Sequence, residues 1–139
     1  MSRRTYLLAT FGVILAGILS RVGATGYRVL DKYAGDALYA IMVYTLLSVV
    51  AVRCSPAYKF ATCLLVMLAI EVFQVTHIAA GWSQRGNLLL RILARLLGTT
   101  FSWLDMLAYG IGLLLIVGVD SVGTRARRAQ RSSVTTRWP

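Results

Sequence analysis

Four long apolar runs, punctuated by arginine, lysine and aspartate, constrain this chain more tightly than any other feature of its sequence. They occupy residues 5–20, 36–52, 60–80 and 103–119. An α-helix of about 20 apolar residues crosses a hydrocarbon core about 30 Å thick, so runs of this length describe membrane spans. The composition agrees. Of 139 residues, 58% are hydrophobic and 14% are charged, with a mean hydropathy of +0.69. A soluble domain carries about a quarter charged residues, so an ordinary soluble enzyme does not fit. Disorder is excluded by so much apolar surface. Two prolines and twelve glycines without a three-residue period exclude collagen-like and low-complexity chains.

The first run follows Arg3 and Arg4 and stops at Arg21. At about 16 residues it is near the short limit for a span. Gly12, Ala16 and Ser20 recur every four residues and offer another helix a face for close approach. A cleavable signal peptide is the competing reading, with Val22-Gly23-Ala24 resembling a cleavage site and the start loosely resembling a twin-arginine signal. Three further membrane helices, in place of a secreted domain, argue against cleavage. A loop over residues 21–35 precedes the second span, which starts at Asp36, and a short turn with Pro56, bracketed by Arg53 and Lys59, leads to the third. Residues 81–102 are leucine-rich, with Arg91 and Arg95 at i, i+4. That pattern describes an amphipathic helix lying in the interface between the third and fourth spans. The fold expected is therefore all-α: a bundle of four transmembrane helices plus one interfacial helix. Residues 1–120 would form a single membrane domain, and residues 121–139 a basic, disordered cytoplasmic tail.

The net charge of +10 is mostly arginine, since Lys32 and Lys59 are the only lysines. Placing both termini in the cytoplasm puts nine Lys and Arg residues inside and six outside, the bias of a multi-pass protein of a bacterial cytoplasmic membrane. The arginine tail then reads as a topology signal that attracts anionic lipid, and no specific nucleic-acid binding is expected. Cys54 and Cys63 lie nine residues apart with no zinc or redox motif. No cofactor or metal is expected.

Ionisable residues within spans face a cavity or the bundle interior. With this topology Asp36 and Tyr39, Glu71, Gln74 and His77, and Asp105 and Tyr109 come from three spans into the outer half of the bundle. Each has a plainer reading beside the functional one. Glu71 and Gln74 can tie helices together, and Asp36 and Asp105 can cap their own helices. His77 can be an amphipathic ring at the interface. Tyr6, Tyr58, Trp82 and Trp103 fit aromatic belts.

Three blocks resemble a known family. They are Lys32-Tyr33-Ala34-Gly35-Asp36 with Met42-Val43-Tyr44, Glu71-Val72-Phe73-Gln74, and Phe101-Ser102-Trp103-Leu104-Asp105-Met106-Leu107-Ala108-Tyr109. They resemble the small bacterial membrane proteins grouped as domain of unknown function 2809, over nearly the whole chain except the tail. Tyr39 stands where that family usually has Trp. A looser likeness extends to VanZ-like proteins, which implies an envelope setting. The family brings a fold and a location but no activity. Its matching residues are Lys32, Asp36, Glu71, Gln74, Asp105 and Tyr109, all but Lys32 among those that depth selects.

The candidate pocket thus comprises Lys32, Asp36, Glu71, Gln74, His77, Arg91, Arg95, Asp105 and Tyr109. Its expected ligand is an envelope lipid or other amphiphile, with the arginines holding an anionic headgroup. A proton-coupled transporter or channel subunit is one alternative, needing dimerisation through Gly12 and Ala16 or Ala108 and Gly112. An intramembrane hydrolase or transferase with Glu71 or Asp105 as general base is another. Neither GxSxG nor HExxH is present.

Overall fold

A computed structural model of the chain describes residues 2–22, 28–84, 87–97 and 101–135, with side chains over 2–20, 31–84, 87–94 and 101–125. The described residues form helices and turns, with no strand. In chain order the helices are α1 (Arg3–Val22), α2 (Arg28–Val50), α3 (Pro56–Val75), α4 (Ile78–Ser83), α5 (Leu88–Leu97) and α6 (Trp103–Thr135).

Among the described residues three of these, not the four expected, are long and apolar enough to cross a membrane: Asp31–Val50, Pro56–Val75 and Trp103–Arg125. The first run falls short for a physical reason. Its described apolar stretch covers roughly 24 Å at 1.5 Å per residue, and Arg3 and Arg4 occupy its first turn. α1 packs along α2 and turns Leu7, Leu8, Phe11 and Leu19 outward. Gly12 and Ala16 also face outward, so within the chain that small-residue face meets no other helix.

The other boundaries differ from the sequence reading in three places. α2 begins at Arg28 rather than Asp36, because residues 28–35 hold no proline and Asp31 sits in the first turn, where a carboxylate suits the helix dipole. Lys32 and Asp36 therefore stand inside a helix, and Asp36 does not cap it. α3 begins at Pro56, with the Ser55 hydroxyl accepting the Tyr58 N–H at 3.2 Å. It ends at Val75 rather than running to Ala80: the Thr76 hydroxyl donates to the Phe73 carbonyl at 2.6 Å, and His77 takes a left-handed conformation with φ 58°. α6 runs on past Asp120 to Thr135, where a disordered tail was expected. Its extension is built of good helix formers, with Ala126, Arg127, Arg128, Ala129, Gln130 and Arg131 in sequence. α5 lies within the leucine-rich segment 81–102, and Leu88, Leu89, Ile92 and Arg91 are all exposed on it.

α2, α3 and α6 pack on one another around a common seam. Four-residue spacing generates it: Asp36, Ala40, Tyr44 and Ser48 on α2; Lys59, Cys63, Met67 and Glu71 on α3; Asp105, Tyr109 and Leu113 on α6. α3 runs opposite to α2 and α6, as the contacts of Lys59 with Asp120 and of Lys32 with Asp105 require. The apolar middle is short, and both ends of the seam are polar. α2 and α6 approach closely at Gly112, where an added methyl would overlap the Ala37 backbone. Ala108 and Gly112 are thus spent on packing inside the chain.

Candidate functional site

The polar ends of the seam lie roughly 18 Å apart, twelve residues along α3 from Lys59 to Glu71. They are built differently.

At the Lys59 end, α1, α2, α3 and α6 each contribute one side chain. The Tyr6 hydroxyl donates to Asp120 Oδ1 at 2.6 Å and the Tyr44 hydroxyl to Oδ2 at 2.7 Å. Lys59 Nζ donates to the Tyr6 oxygen at 2.8 Å and to Asp120 Oδ2 at 3.2 Å. It also lies 4.5 Å from the Tyr6 ring centre and 5.9 Å from that of Tyr44. All four residues are at most 2% exposed. Sequence reasoning missed this network. It took Lys59 as a surface charge at a turn, Asp120 as the end of a span and Tyr6 as part of an aromatic belt. Tyr58 and Trp103 are largely exposed, as a belt requires, but Tyr6 is buried. The available signal was depth. Tyr44, Lys59 and Asp120 occupy matching levels on antiparallel helices, as Asp36, Glu71 and Asp105 do at the other end.

The Glu71 end draws on α2, α3 and α6. Lys32 Nζ pairs with Asp105 Oδ1 at 2.8 Å, with half of the lysine side chain exposed. Asp36 lies within electrostatic reach of Lys32, and Asp105 and Lys32 within reach of Glu71. The Tyr109 hydroxyl lies beside the Glu71 carboxyl. Glu71 is fully buried, and Gln74, Asp105 and Tyr109 nearly so. Glu71 Oε2 accepts the Ser102 N–H at 3.4 Å, which ties α3 to the start of α6. Glu71 Oε1 is buried with no hydrogen-bond partner of ordinary length among the described residues.

Lys32, Asp36, Glu71, Asp105 and Tyr109 thus come together, with Gln74 one turn beyond Glu71 on the buried face of α3. His77 and Arg91 do not join them. His77 is exposed at the turn after α3, and Arg91 is exposed on α5. The Arg95 side chain lies outside the described residues. Asp105 does stand in the first turn of α6, yet its carboxylate is committed to Lys32. Among the described residues no three His, Cys, Asp or Glu side chains are close enough to hold a metal ion. Among the described residues the site's chemistry is that of buried acceptors beside Lys32. Next to it, α2 and α6 leave an apolar groove of about 270 Å³ lined by Tyr33, Ala37, Leu104, Leu107, Ala108 and Ile111.

No curated protein and no solved structure matches this chain, and the likeness to VanZ-like proteins draws no support from these comparisons. One family model does match, over residues 26–113, and its description is "Protein of unknown function (DUF2809)". That segment contains every residue of the Glu71 cluster, but neither Tyr6 nor Asp120. With well over half of its length inside that match, the chain belongs to the DUF2809 family.

Proposed function

We propose that this chain is a membrane protein that holds an amphiphile at the Glu71 end, with a hydrogen-bond-donating, amine-bearing headgroup against the cluster. The observation that carries this reading is Glu71 Oε1, a buried acceptor that meets no hydrogen-bond partner of ordinary length among the described residues, with the Tyr109 hydroxyl beside its carboxyl. Leaving such an atom bare costs about 1–3 kcal/mol, and a donor reaching it removes that cost. A carboxylate oxygen accepts and does not donate, which favours an ammonium over an anion. The α2–α6 groove beside Lys32 and Asp105 suits an acyl chain, being lined almost wholly by apolar atoms. Arg3, Arg4, Arg53 and Arg125 are exposed, and Arg3 and Arg53 flank the Lys59 end. By the positive-inside rule that end faces the cytoplasm of a cytoplasmic membrane, and the Glu71 end faces outward.

The test is native mass spectrometry of protein extracted in gentle detergent. Wild type is expected to retain an aminophospholipid that Glu71→Gln and Asp105→Asn lose. Equal occupancy in all three proteins would sink the reading. Loss of an anionic lipid from Glu71→Gln, with the aminolipid unchanged, would transfer support to the loop arginines and an anionic headgroup.

A further inference from the structure

We infer a second, separate lipid site at the Lys59 end, built to take the phosphodiester of an anionic phospholipid between Arg3 and Arg53. The first turn of α1 and the turn joining α2 to α3 enclose a groove of about 330 Å³ there. Its floor is Val49, Val50, Ala51 and Val52, and its charged walls are Arg3 and Arg53, fifty residues apart in sequence. Among the described residues no carboxylate lines it. Neither guanidinium enters an ion pair among the described residues, where the buried Asp120 is committed to Lys59. Both arginines are exposed.

Charge and position together choose the occupant. Two guanidinium groups present planar donor forks that fit phosphate oxygens in bidentate fashion. A soluble phosphate would gain nothing from the valine floor. Val50, 82% exposed, ends one span, and Pro56 begins the next. The groove therefore sits where a span meets the headgroup layer, with the arginines at the headgroup level and the valines below them. A lipid phosphate attached to acyl chains uses both surfaces at once. Arg4, equally exposed but outside the groove, is the natural control.

The full-length protein in detergent is titrated with phosphatidylglycerol and, separately, with phosphatidylcholine, and bound lipid is counted by native mass spectrometry. Wild type should prefer phosphatidylglycerol by about tenfold, and the Arg3→Gln/Arg53→Gln double variant should lose that preference. Arg4→Gln should keep it. Arg3→Lys/Arg53→Lys conserves charge and keeps the test decisive if the first variant does not fold. It should fall between the two, because an ammonium cannot make the bidentate contact. Inorganic phosphate at millimolar concentration should not displace the lipid. The inference fails if the double glutamine variant binds phosphatidylglycerol as wild type does. It fails equally if Arg4→Gln weakens binding as much, or if the lysine variant is indistinguishable from wild type. Displacement by inorganic phosphate would overturn the lipid assignment. The outcome is independent of the Glu71 site, since Glu71→Gln should leave this preference unchanged.

Discussion

The two ends of the α2–α3–α6 seam place similar polar groups at opposite depths of one bundle. At the Lys59 end each Asp120 oxygen accepts a tyrosine hydroxyl, and the single ammonium reaches both the carboxylate and a tyrosine oxygen. At the Glu71 end a half-exposed Lys32 pairs with Asp105, and Glu71 Oε1 meets no donor at ordinary hydrogen-bond length among the described residues. A buried ion pair of the first kind holds four helices at fixed register, and removing one partner strands the other charge. An arrangement of the second kind holds less together and leaves acceptors for something else to meet. Burial of a charge in a membrane bundle is thus no sign of a binding site by itself. The state of its remaining hydrogen-bonding capacity separates a clamp from a candidate site.

The largest effect expected is at the clamp. Lys59→Met takes the ammonium away from the buried Asp120 carboxylate, and should destabilise the folded protein by about 3–5 kcal/mol. The Lys59→Met/Asp120→Asn double variant should recover most of that loss. Thermal unfolding in detergent measures both, and a double variant as unstable as the single one would show that the pairing is not the source. Next comes the helix approach that brings α2 and α6 together. Gly112→Ala forces a methyl against the Ala37 backbone and should cost about 1–3 kcal/mol. Gly110→Ala meets nothing and should fall within about 0.5 kcal/mol of wild type. Equal effects at 110 and 112 would remove the close contact from the account.

At the open end the stability effects should be smaller. Lys32→Met should cost under about 1 kcal/mol, because half of the lysine side chain is exposed. Were Lys32→Met as damaging as Lys59→Met, the contrast between the two ends would collapse. The smallest effect is that of a glycine at the turn that separates α3 from α4. His77→Gly should be nearly neutral, since glycine adopts a positive φ freely. His77→Val, β-branched at the same φ, should lose about 1–2 kcal/mol. A neutral valine would mean that the left-handed turn is not held in solution.

Much of the Glu71 end was legible in the chain. Glu71, Asp105 and Tyr109 were selected by counting residues from the run ends, since 1.5 Å per residue converts sequence position into depth. The same count applied to Tyr44, Lys59 and Asp120 would have found the clamp. Tyr6 was harder, because nothing in a 16-residue run says which face meets a neighbour. His77 and Arg91 stand apart from the cluster because sequence distance ignores the turn at Thr76 and His77, which ends α3 at Val75.

The sequence by itself determined that the chain is helical and apolar enough to cross a membrane, because hydrophobic run length and four-residue spacing are local properties. It also set the depth of each charged residue along its own helix. Only the tertiary structure decided which of those residues face one another, because depth leaves the rotation of each helix free. Rotation here is settled by packing, with Gly112 letting α6 close on Ala37 and α1 swinging Tyr6 onto Asp120. That packing is what closed one polar end of the bundle and left the other open.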